Sequence, residues 1–173
     1  MKTMTQEMAE DLIGAAFRFC SKDAMQTGKE PSPHIVILSL TDEGILPRKL
    51  IDLSDAMSAD GGKDLVAELI DRLVNDAGMV VIFASMAWYT KVKFKGDAIE
   101  IERKLKEIES AGGLSEQDEK GEALIINLYC GASMWMQIND VTHAPFEIKR
   151  GPVTLTNNED VSGRLVVNQH TKH

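Results

Sequence analysis

The hydrophobic pattern changes period several times along the chain, and each change marks an element. Met8, Leu12, Ala15, Ala16 and Phe19 recur at spacings of three and four, the helical period, and Thr3-x-x-Gln6 has the form of a capping box. A helix is predicted from Gln6 to Gln26. Gly28 and Pro31-Ser32-Pro33 end it, and the apolar run His34 to Leu40, rich in β-branched residues, predicts a buried strand. Asp42-Glu43-Gly44 reads as a turn, and Ile45 to Leu53 as an antiparallel return in which Pro47 lacks a ladder donor. Asp60-Gly61-Gly62 opens the clearest helix. Leu65, Leu69 and Leu73 form one row, Val66, Ile70 and Val74 the adjacent row, and Asp64, Glu68, Asp71, Arg72 and Asn75 the opposite face. Gly78 supplies a left-handed stop. Met79 to Ser85 then begins a central strand running toward Trp88 and Tyr89.

Beyond Tyr89 the pattern alternates, Lys91, Lys93 and Lys95 against Val92 and Phe94, so an extended segment places its three ammonium groups on one face. Asp97 to Lys120 is a charged insertion carrying eight acidic and four basic residues. Ile101, Leu105 and Ile108 give it a narrow helical stripe, and protease cleavage is expected early at Gly112-Gly113. Glu122 to Cys130 and Ser133 to Val141 read as a hairpin turning at Gly131-Ala132. Phe146 to Ile148 and Val153 to Leu155 are short β elements, and residues 157–173 form a polar C-terminal tail. Hairpin-connected strands with a single helical crossover favour α+β. The expectation is one domain over 1–173: a mainly antiparallel sheet of about five strands, with two helices on one face and the insertion at 97–120.

Composition narrows the classes of function. The chain has 173 residues, 43% hydrophobic and 27% charged, and a net charge of -8. That length suffices for a two-layer core, and the acidic balance disfavours coating of nucleic acid or anionic lipid. No apolar run approaches the roughly 18 residues of a membrane span, and the first ten residues carry no apolar segment of signal-peptide type. Cys20 and Cys130 form neither a C-x-x-C pair nor a disulfide framework. A reduced, cytoplasmic protein without membrane association is expected.

Ser85-Met86-Ala87-Trp88 ending the long strand, the polar excursion after it and the re-entry at Glu122-Ala123-Leu124-Ile125-Ile126 resemble a loose set of small bacterial and phage proteins with no assigned activity. The resemblance spans Pro33 to Ile138 and departs from the set at Met86, where a Glu is expected. It implies a bacterial or phage origin and a similar architecture.

The candidate chemistry is sparse. His34, His143, His170 and His173 show no paired metal-ligand spacing beyond the last two, three apart in the tail, so neither a metal nor a cofactor is expected. Asp60-Gly61-Gly62-Lys63-Asp64 lacks the first Gly and the closing Ser or Thr of a phosphate loop and reads as a helix cap. Catalytic motifs are absent while strand edges need cover, so the leading expectation is a non-catalytic binding or assembly protein, homo-oligomeric or partnered with another protein. One alternative is a cysteine-dependent hydrolase or transferase using Cys130 with a histidine, although thiols in apolar strands are commonly inert. The other is a nucleotide or single-strand binder using Trp88, Tyr89, Lys91, Lys93 and Lys95 for stacking and phosphate contact, set against the reading that these lysines protect a strand edge.

Overall fold

Seven strands share one antiparallel sheet in the computed structural model, which describes residues 3–90, 98–112 and 120–156. In chain order these residues form α1 (Gln6–Thr27), β1 (His34–Thr41), β2 (Gly44–Asp52), α2 (Ser54–Ser58), α3 (Gly62–Val74), β3 (Met79–Thr90), α4 (Ala98–Ser110), β4 (Lys120–Cys130), β5 (Ser133–His143), β6 (Phe146–Lys149) and β7 (Val153–Thr156). Laterally the order is β2-β1-β3-β4-β5-β6, and β7 also pairs with β5. The sheet curls into a half-barrel.

The α+β class and the antiparallel sheet agree with the sequence pattern, and two features differ. The first is the number of strands, seven rather than about five. β6 lies against Asp140 to His143 and β7 against Met134 to Gln137, so two short strands in succession cover the outer edge of the long β5. The second is the placement of the helices, which do not share a face. α1 packs through Ala9, Ile13, Ala16 and Cys20 on Leu38, Val80, Ile82, Leu124, Ile126 and Leu128. α3 packs through Val66, Ile70 and Val74 on Ile35, Ile37, Val81, Phe83 and Tyr129. Successive strand residues point to opposite sides, so apolar runs such as Met79 to Ser85 expose both faces to the solvent unless both are covered.

Local chemistry sets the ends of the elements. The α1 cap is Thr5, whose side chain accepts from the Met8 N–H at 3.2 Å, in place of the Thr3 box suggested by the sequence. At its C-terminus Gly28 takes φ 65°, and its N–H bonds to the Ala24 carbonyl, the left-handed stop that glycine allows. α3 starts where a Cβ on Gly62 would stand 1.6 Å from the Ala56 carbonyl oxygen, so only glycine lets α2 and α3 approach this closely. Within the charged insertion, α4 carries i,i+4 pairs between Lys106 and Glu102 and between Arg103 and Glu107. The polar tail at 157–173 and the Gly113 end of the Gly112-Gly113 cleavage point lie outside the described residues.

Candidate functional site

The C-terminal end of α1 and the adjacent ends of β4 and β5 bring three ligand-bearing side chains together. Gly28 turns the chain out of α1 so that Lys29 and Glu30 lie over the sheet margin. Glu122 shares the parity of Leu124, Ile126 and Leu128, which face α1, so its carboxylate lies on the α1 side near the start of β4. His143 closes β5 and pairs with Phe146, the first residue of β6. One ligand atom from each of Glu30, Glu122 and His143 lies within 4.8 Å of the others. The three come from a loop and two strands, so the cluster is a product of the tertiary fold.

Hydrogen bonding and charge tie the cluster together. His143 Nε2 bonds to Glu122 Oε2, with the Glu122 side chain 14% and the His143 side chain 51% exposed. The inner carboxylate is therefore held by an imidazole at the rim. The Phe146 ring, its centroid 5.6 Å from that of His143, steadies the imidazole. Partial desolvation, the Glu122 charge and a hydrogen bond with Glu122 raise the Glu30 carboxyl above its ordinary range, while the His143 charge acts the other way. An open hollow of about 460 Å³ is lined by Gly28, Lys29, Glu30, His143 and Phe146. Its donor atoms accept protons or cations, and the exposed Lys29 is the cationic group on its wall.

The fold treats the residues singled out in the sequence unequally. Trp88 pairs with Glu122 across β3 and β4, on the α1 side, and is 45% exposed, which places an indole beside the cluster. The Tyr89 side chain and all of Lys91, Lys93 and Lys95 lie outside the described residues. Cys130 stands at the other end of the sheet. Its partner in β3, Val80, is four residues from Ala84, the partner of His34, about 13 Å along the strand. Its partner in β5, Ser133, is ten residues from His143, about 33 Å of extended chain. Burial pushes the Cys130 thiol upward, the direction opposite to that of an activated nucleophile. His34 is buried, bonds through Nδ1 to the Ser32 carbonyl at 2.9 Å and meets the Phe19 ring edge-on. His170 and His173 lie outside the described residues.

Sequence reasoning missed Glu30 and Glu122 and considered His143 as a histidine without metal-ligand spacing and as one of the bases open to Cys130. No local spacing joins positions 30, 122 and 143. The single local signal was an acidic residue opening an otherwise apolar strand at Glu122.

No protein-family model, curated protein or solved structure matches the chain. Among the described residues no helix is long and apolar enough to cross a membrane.

Proposed function

We propose that this is a non-catalytic binding protein whose ligand centre is the hollow at the end of α1, and that the ligand is a cation. The observation that carries the reading is the convergence of Glu30, Glu122 and His143, three acceptor side chains within 4.8 Å of one another. Two carboxylates and an imidazole supply negative potential and lone pairs to a cation, with the Trp88 ring beside Glu122 able to cover an alkylammonium group. The placement of Cys130 away from His34 and His143 supports binding over covalent catalysis. Calorimetry with a panel of divalent ions, a linear polyamine, a quaternary ammonium ion and mononucleotides tests the reading. Saturable binding of at least one cation, weakened by Glu122→Gln, is expected. Binding of mononucleotides alone would overturn it in favour of the stacking alternative at Trp88.

A second reading, self-assembly, is favoured by one observation. Edge strand β2 leaves Leu46 and Leu50 exposed, at 43% and 55%, with no described strand on its outer side.

A further inference from the structure

We infer, resting on the reading of this hollow as a cation centre, that its ligand is a divalent transition-metal ion held by His143 Nε2 and one oxygen each of Glu30 and Glu122. Donor chemistry selects the class. An imidazole nitrogen beside two carboxylates suits zinc, cobalt, nickel or manganese, whereas calcium and magnesium take oxygen ligands almost entirely. Charge agrees, since two carboxylates neutralise a dication and leave no net charge at the margin of the core.

Geometry agrees as well. The three atoms lie within 4.8 Å of one another, and tetrahedral bonds of ~2.1 Å require donors about 3.4 Å apart. Rotation of the Glu30 side chain on its exposed connector can supply that closure without moving the sheet. Glu122 and His143 already face each other through a hydrogen bond, and the ion takes the place of the proton they share, which passes to solvent as the two atoms draw apart to the donor spacing. Glu30 and His143 line the open hollow and Glu122 lies inward of them, bonded to His143, so an ion held by the three keeps its hollow-facing side for water or a small exogenous anion, the arrangement of an open rather than a closed structural site. Lys29 lines the same hollow and opposes the ion by repulsion, so Lys29→Ala is expected to tighten binding.

The test is calorimetry on chelator-treated full-length protein with zinc, cobalt, magnesium and calcium chlorides and a linear polyamine. The variants are His143→Ala, Glu122→Gln, Glu30→Gln and the double variant His170→Ala/His173→Ala. Glu30 sits on an exposed connector, so its variant tests the site without loading the core, and thermal melting confirms the fold of each. The inference expects one zinc or cobalt ion per chain and no response to magnesium or calcium. His143→Ala and Glu30→Gln should each weaken zinc roughly tenfold or more, with the double variant unchanged. Zinc binding that disappears in the double variant and survives His143→Ala would overturn it, assigning the ion to the tail. Polyamine binding without zinc binding would overturn it while leaving the hollow a centre for organic cations. No response to any cation would remove both readings.

Discussion

Several side chains inside the sheet are polar, and their partners show what holds the β5 edge together. Asn139 is fully buried, donates to the Leu124 carbonyl at 3.0 Å and accepts from the Gly151 N–H at 3.0 Å. Gln137 donates to the Gly151 carbonyl at 2.8 Å. A Cβ on Gly151 would stand 2.1 Å from the Ile138 carbonyl oxygen, so the connector between β6 and β7 lies on β5 as bare backbone. Asn139→Ala therefore strands two backbone groups and should destabilise the fold by about 1–3 kcal/mol for each one left dry. A urea midpoint equal to wild type would contradict this. Cys20 makes a prediction about pH. It is 1% exposed, and burial, reinforced by the Asp23 charge, pushes its thiol from 9.0 up to about 12. The folded pKa is the higher one, so stability is fully present below pH 9, where both states hold the proton, and falls as the unfolded thiol ionises alone. The loss reaches about 4 kcal/mol by pH 12, with buried Tyr129 shifted in the same direction and adding to it above pH 10. Urea midpoints should fall from pH 9 to 10.5, less steeply in Cys20→Ala, and a flat profile would contradict the assignment.

Elements were legible where their period was unbroken. α3 and β3 could be read because every apolar position repeated, but the row that faces the core could not. Val66, Ile70 and Val74 are buried while Leu65 is 65% exposed, since the two rows are adjacent on the helix and only the partner sheet chooses between them. β6 and β7 were under-counted as sheet strands because four-residue segments carry little period, and their pairing with successive halves of β5 depends on the Gly151 connector. α2 was missed for a similar reason, as five residues with none buried leave no stripe. β2 was read correctly, Pro47 included. Pro47 coincides with a break in the β1–β2 register, and Arg48 and Lys49 follow it as exposed cations. Proline, irregularity and charge all discourage edge-to-edge pairing. Assembly through β2 therefore depends on the exposed Leu46 and Leu50, and the double substitution Leu46→Lys/Leu50→Lys should return any oligomer to a particle of 19.1 kDa by light scattering at micromolar concentration. Oligomers that survive the substitution would place the interface elsewhere, and a wild type that scatters as a single chain would remove the assembly reading.

At the scale of the molecule, the fold separates the chemistry that the sequence left unplaced. Apolar strands covered on both sides form the sheet, with the thiol of Cys130 at one end and the carboxylate and imidazole cluster at the other. Fold class was legible because it depends on local period, whereas the cluster was not, because Glu30, Glu122 and His143 meet only after α1 has crossed the sheet and β4 and β5 have paired in register. The most direct test of the cation centre is amide chemical-shift mapping of the full chain during titration with zinc chloride and, separately, a linear polyamine. The account predicts saturable shifts confined to residues 28–30, 120–124 and 141–146, with the Trp88 indole N–H responding and that of the buried Trp135 still. Shifts centred on Cys130 and Ser133, or no saturable shift with either cation, would contradict it.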